Sequence, residues 1–364
     1  MPENVPVTAA PLRTLVVGAG GMGRGWINTV GAHPGTVLVG VVDIDTARAA
    51  EAAASAGGGI PVFADLDAAL DAGLAIDLLV DVTIPEAHHL VTLAALRAGI
   101  PVLGEKPAAA TLAEAVQLAA ASELADVPFV VSQNRRYEPN AQSTRAAIQV
   151  VGAPGLVDIS FAKAPHFGGF REEMEHVLLL DMSIHHFDYL RHAMGSDPVV
   201  EVYCDEFNPA WSWFRHGAAT TLLLRFASGA RATYTASWCS PGAETSWNAH
   251  WRFSGPAGTV VWNGDNAPEV DVPNDASVVA PVVDGPTGLA ASLTLMVDYL
   301  RGGPEPTTTV RDNVSSLALV FAAIESACVH QPVRVADVIE RARADAAASA
   351  DSPELAEAVR ALTL

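Results

Sequence analysis

Asp181, His185, Asp188 and His192 stand at steps of four, three and four within LLLDMSIHHFDYLRHAMG, residues 178–195. On a helix those steps place all four on one stripe, while the rest of the segment is apolar almost all round, as in a buried helix. Burying ionisable groups is costly unless each has a partner or a task. Histidine titrates near neutrality, so His185 could exchange a proton with a bound hydroxyl, with Asp181 one turn away to orient it or to bind substrate. A buried hydrogen-bonded pair is the structural alternative. Asp188 and His192 read better as structural, His192 lying near the helix C-terminus. His186 lies about 100° round the helix from His185 and is a neighbour.

A second chemical signal lies near the start. In VVGAGGMGRG, Gly18, Gly20 and Gly23 fill G-x-G-x-x-G directly after a strand-like run. A tight turn, a bare backbone near a pyrophosphate and a close helix–strand contact each exclude a Cβ, and the helix that follows offers its N–H groups to phosphate. Asp43 follows Gly23 by twenty positions, where a carboxylate can accept from ribose hydroxyls and repel a 2′-phosphate. NAD is therefore favoured, with NADP left possible because Arg48 is close.

Elements able to position these groups alternate through the first half. Strand-like runs at 14–17, 37–42, 61–63, 78–82, 101–103 and 129–131 are separated by alanine-rich helical stretches at 22–30, 46–56, 87–98 and 111–125. This alternation predicts an α/β, doubly wound parallel sheet. In the second half, 217–238 and 246–262 each read as two strands about a turn.

Size and charge bound the rest. The chain has 364 residues, 41 acidic against 21 basic, and a formal net charge of -20. That length suits two domains, and that charge disfavours nucleic acid and anionic lipid as partners. No uninterrupted apolar run reaches membrane length, and MPENVPVTAAPLRT lacks the pattern of a signal peptide. The three cysteines, Cys204, Cys239 and Cys328, have no C-x-x-C spacing, which predicts buried thiols in a reducing cytoplasm.

Several stretches resemble one family when taken together: GAGGMG, VTIPEAHH (82–89), GEKPAAATLAEA (104–115), SQNRRYEPN (132–140) and DMSIHHFD (181–188). They are similar to the glucose-fructose oxidoreductase, inositol dehydrogenase and rhizopine catabolism (Gfo/Idh/MocA) group of NAD(P)-dependent oxidoreductases, over roughly residues 12–335. The resemblance implies a Rossmann domain (12–135) after an N-terminal extension (1–11), then an α/β domain with a large open, mostly antiparallel sheet (136–335). A helical tail (336–364) lies outside it. It also implies a homo-oligomer, dimer or tetramer.

The resemblance further implies roles. Lys106 of GEKP, Asp181 and His185 would be catalytic, and Pro107 invites a cis bond. Gly18, Gly20, Gly21, Met22, Gly23, Asp43, Ile44, Thr83, Pro85, His89, Glu105, Lys106, Asn134 and Arg136 would hold the cofactor. Arg136 could equally form a domain-interface ion pair and His89 could lie on a helix surface. His166, Arg171 and His176, in the glycine-rich loop AKAPHFGGFREEMEH (162–176), join Lys106, Asp181 and His185 as candidate substrate contacts. His166, His176, Asp181 and His185 are metal-ligand types, but no paired-ligand motif is present and no metal is expected. The expected reaction moves a hydride between a small sugar, cyclitol or polyol hydroxyl and NAD. The alternatives are chemistry without net redox on tightly held NAD, and a non-catalytic dinucleotide-binding regulator.

Overall fold

The computed structural model describes residues 10–364, so most of the expected extension lies outside the described residues. From Leu12 to Val131 strand and helix alternate: β1 (Leu12–Val17), α1 (Gly21–Ala32), β2 (Thr36–Val42), α2 (Thr46–Ser55), β3 (Val62–Phe63), α3 (Leu66–Asp71), β4 (Leu78–Asp81), α4 (Pro85–Arg97), β5 (Val102–Gly104), α5 (Leu112–Ala125) and β6 (Phe129–Val131). The six strands pair in parallel in the order β3-β2-β1-β4-β5-β6. This is the dinucleotide-binding order, built because strands buried on both faces are apolar throughout and need helical crossovers. Local signals set the helix starts: Asp45 caps α2, and Thr111 with Glu114 forms a capping box on α5.

The later elements are α6 (Pro139–Val151), β7 (Leu156–Ala162), α7 (Phe170–Glu173), α8 (Ile184–Met194), β8 (Val199–Phe207), β9 (Ala219–Phe226), β10 (Arg231–Ser237), β11 (His250–Ser254), β12 (Thr259–Trp262), β13 (Glu269–Asp271), α9 (Gly288–Leu300), α10 (Val310–Val329), β14 (Val333–Arg334), α11 (Val335–Ser349) and α12 (Pro353–Ala361). Eight strands form an open sheet, β13-β12-β11-β7-β10-β9-β8-β14, antiparallel except where β10 meets β7. In β9 buried and exposed side chains alternate, so one sheet face is covered and the other open.

The chain forms two units that are not the contiguous segments drawn from the sequence. One takes residues to Ser132, Leu289–Arg311 and Ala350–Thr363; the other takes Gln133–Gly288, Asp312–Ser349 and Leu364. The cause lies in the core of the first unit. Leu293, Met296 and Val297 of α9 complete the cluster holding Trp26, Ile27 and Val30 of α1, and α12 packs on α5. The last residues are thus part of the nucleotide-binding unit rather than a separate tail.

Two smaller expectations are corrected. Cys204 and Cys239 are buried, but Cys328 is exposed at the end of α10. Residues 178–194 are not one regular α-helix: Leu178–Ser183 winds as a π-helix before α8 begins. The interval from Asp181 to His185 thus spans the change from π to α winding, and the two residues stay about one turn apart. By length and composition α10 could cross a membrane, yet 61% of its most apolar window is buried within the protein, and it carries the buried polar residues Asn313, Ser316 and Ser326.

Candidate active site

In the first unit the expected residues gather at the carboxyl ends of the parallel strands. Gly18 has φ +102°, and a Cβ there would come within 2.5 Å of the Val82 carbonyl oxygen. A Cβ on Gly23 would lie 2.1 Å from the Gly18 oxygen, so helix α1 seats directly on the turn. Gly20 and Gly21, by contrast, face open space, and α1 has neither a side-chain cap nor an acidic residue in its first turn. A bare loop before an uncapped helix N-terminus fits a pyrophosphate. Met22 and Ile44 are exposed beside it, Ile44 almost fully.

Asp43 closes this loop. Its Oδ2 accepts from Ala19 N (2.7 Å) and its Oδ1 from Asp45 N (2.9 Å). Arg48 donates to both oxygens, Nη2 at 2.6 Å and Nε at 3.1 Å. Burial pushes this carboxyl up, but Arg48 and the two amides outweigh it and hold it below the ordinary range. The position just after β2 is therefore anionic, with a guanidinium against it.

The end of β4 carries a group the sequence analysis missed. Asp81 is wholly buried and binds His88 Nδ1 (3.0 Å), Thr92 Oγ1 (3.0 Å) and Thr83 Oγ1 (2.7 Å). Burial alone would drive Asp81 up and His88 down. Their mutual attraction wins, so Asp81 sits below and His88 above its ordinary value. Of the two adjacent histidines it is thus His88, not the expected His89, whose ring reaches the strand end. The buried stripe His88, Thr92, Ala95 and Leu96 on α4 is the signal that distinguishes them. Pro85 is the first residue of α4.

At the end of β5, Glu105 is held on both oxygens: Trp26 Nε1 donates to Oε1 (2.7 Å) and Lys106 N to Oε2 (3.2 Å). Burial raises this carboxyl despite the nearby positive charges of Lys106 and His88. The Lys106–Pro107 bond is cis. Lys106, Asp43 and the glycine loop therefore share one carboxyl-terminal edge of one sheet, on strands β5, β2 and β1.

In the second unit Asp181, on the π-helical turn, accepts from Arg171 Nε (2.7 Å). His185, on the first turn of α8, is buried. A cavity of about 10 Å³ joins His185 to Arg135, His186, Tyr189, Asn248, Trp251 and Trp262, close to the least volume that holds one water. His186 is fixed by Tyr234 Oη (2.8 Å) and the Trp247 carbonyl (3.2 Å), and burial lowers it to about 3. It is a neutral core residue, as its place on the helix predicts. His192 is likewise lowered to about 3 by burial and contacts Gln142.

Arg136 departs from the expected cofactor role. Its guanidinium is 2% exposed and binds Asp188 through Nε (2.7 Å) and Nη2, with a further contact to Asp312 (3.2 Å). Asp188 also accepts from Ser316 Oγ (2.8 Å). Once buried, this guanidinium requires those carboxylates, so an ion pair does form, but with partners inside the second unit rather than at a domain interface. Its neighbour Arg135, which the sequence left unassigned, donates to the Trp247 carbonyl and to Asn248 Oδ1, and burial lowers it to about 10. The charge of Asp181 acts on Arg135. Asn134, in the same 3₁₀ turn, is half-buried.

The loop residues separate. His166 is exposed and stacks on Trp213 at 3.9 Å. His176 gives its ring to Glu206 (2.5 Å), a hydrogen bond that raises it. Arg171 lies over Phe167 and Phe170. Among the described residues no cluster of three or more His, Cys, Asp or Glu has metal-binding geometry.

Known proteins carry the same pattern. Residues 12–133 match the oxidoreductase family with an NAD-binding Rossmann fold (Gfo/Idh/MocA), and residues 114–261 match the C-terminal domain of that family. D-apiose dehydrogenase of Paraburkholderia graminis is 28% identical over 337 residues, 88% of either chain. Inositol 2-dehydrogenase of Leifsonia xyli is 34% identical over 199 residues, 54% of this chain and 57% of that one. An oxidoreductase from Agrobacterium radiobacter, solved with NAD+, L-tartaric acid and magnesium, superposes with a TM-score of 0.80 at 22% identity, over 90% of this chain and 99% of that one. With an open glycine loop, an anionic residue after β2 and a strand-end Glu-Lys-Pro, the chain belongs to the Gfo/Idh/MocA family and is an NAD(P)-dependent oxidoreductase that binds NAD.

Proposed function

We propose that the protein is a dehydrogenase of a sugar, cyclitol or related polyol, with Lys106, Asp181 and His185 as its catalytic residues. The observation that carries this reading is Lys106 at the end of β5, on the same sheet edge as the glycine cradle and Asp43. Bound there, NAD would accept the hydride lost from a substrate CH–OH carbon. Lys106 or His185 would take the hydroxyl proton, and Asp181 would hold the substrate or orient the base. The relatives named for D-apiose and inositol oxidation support a polyhydroxylated substrate. Exposed Tyr203, Phe207 and Leu223 on the open sheet face support a homo-oligomer.

The test is a panel of sugars, inositols and aminocyclitols with NAD and NADP, followed by NADH absorbance. Lys106→Ala should lower turnover by about 10²-fold or more while NAD binding persists. Near-normal turnover in that variant would refute the assignment, and turnover without net NADH would favour transient oxidation.

A further inference from the structure

We infer that the substrate carries a carboxylate, received by the open guanidinium fork of Arg171. The inference deepens the dehydrogenase reading, from which it takes the position of the substrate site.

Arg171 binds Asp181 through Nε alone, at 2.7 Å. Its two Nη groups donate to no group among the described residues. They form a planar pair of donors suited to a carboxylate's two oxygens. Rings stand beside the guanidinium, Phe170 at 4.9 Å and Phe167 at 5.3 Å from their centroids. Such rings attract the guanidinium by their π faces and favour one orientation of the fork.

Nearby acids are engaged elsewhere. Glu172 accepts from Gly168 N (2.9 Å), Glu173 pairs with Arg215 (2.9 Å), and Glu244 pairs with Lys163 (2.8 Å). Glu175 is exposed. Asp181 accepts from Arg171, and its charge, after that of Glu138, acts on Arg135. A phosphate dianion would meet the repulsion of Asp181 more strongly than a carboxylate monoanion would. Because Arg171 is bonded to Asp181, the anionic group would sit close to the reacting carbon, as in a uronic or aldonic acid.

The test is calorimetric titration of NADH-loaded protein with galacturonate against galactose, gluconate against glucitol, and glucose 6-phosphate. The expected result is binding of an acid at least about tenfold tighter than its neutral partner. Arg171→Gln should weaken the acid by about 10- to 100-fold and leave the neutral partner within about threefold. Arg171→Lys, which keeps the charge but not the fork, should not restore the affinity. Acids bound no better than neutral partners, a phosphate bound best, or equal losses for both ligands in Arg171→Gln would overturn the inference. NADH production is read separately: an acid that binds through Arg171 but yields no NADH would sink the dehydrogenase reading and leave this one standing.

Discussion

Trp26 on α1 and Glu105 after β5 are joined by a 2.7 Å hydrogen bond across 79 positions of sequence. The helix that would receive the pyrophosphate is thereby tied to the residue preceding Lys106. The second oxygen of Glu105 holds the Lys106 amide, so one buried carboxyl spans both parts of the nucleotide unit.

Trp26→Phe keeps most of the ring volume but removes the donor. A buried acceptor left without its partner costs about 1–3 kcal/mol. Urea unfolding should show a loss of that size. NAD titration should show weaker binding, because the carboxyl no longer anchors α1. Unchanged stability together with unchanged affinity would mean that the bond joins nothing that matters.

His88 and Asp81 predict a pH dependence of stability. His88 is raised above its ordinary 6.5, so its contribution is complete below that pH and fades as pH climbs through the folded value. Asp81 is lowered below 3.8, so its contribution is present above that pH and fades as pH falls through the folded value. Between those limits the pair stabilises most. His88→Gln should flatten the alkaline limb, so that the stability gap from wild type shrinks between about pH 6 and about pH 9. Urea melts across that range measure it, and a constant gap would contradict the charged pair.

The Asp43–Arg48 pair predicts the choice of dinucleotide. Asp43→Ser removes the charge that repels a 2′-phosphate and releases Arg48 to meet one. The ratio of kcat/KM for NADP over NAD should rise by about tenfold or more. Steady-state kinetics with both cofactors decide it; an unchanged ratio would place discrimination elsewhere.

Arg136 and Asp188 test the structural half of the stripe in α8. Asp188→Ala leaves a buried guanidinium short of its main partner and should cost about 3–5 kcal/mol in chemical denaturation. Pairing Asp188→Leu with Arg136→Met removes both charges and should recover much of that loss. A single variant as stable as wild type would show that Asp312 suffices.

Legibility followed distance along the chain. The six parallel strands, the glycine loop and Asp43 were readable because each is a local pattern of apolar run, turn and helix start. The short α3, LDAALD, carries too few residues for a period and was not seen. His88 and His89 were confused because adjacent residues on a helix point in different directions, and only the spacing to Thr92 and Ala95 separates them. Trp26–Glu105 and Arg136–Asp188 could not be read, since nothing in local sequence names a partner 79 or 52 positions away. The π-helical turn left no sequence signal, because its apolar residues suit either winding.

Since α9 fills the core beneath α1, and α12 lies on α5, the nucleotide unit lacks parts of itself when its first 132 residues leave the ribosome. At ordinary elongation speeds the missing helices follow on the order of 10–50 s later. Until then the surface meant for Leu293, Met296 and Val297 is open to water, to a chaperone or to another nascent copy. The newborn protein is thus most exposed to aggregation at its cofactor-binding end, and a gene cut before residue 289 should yield insoluble chains rather than a free-standing NAD-binding fragment.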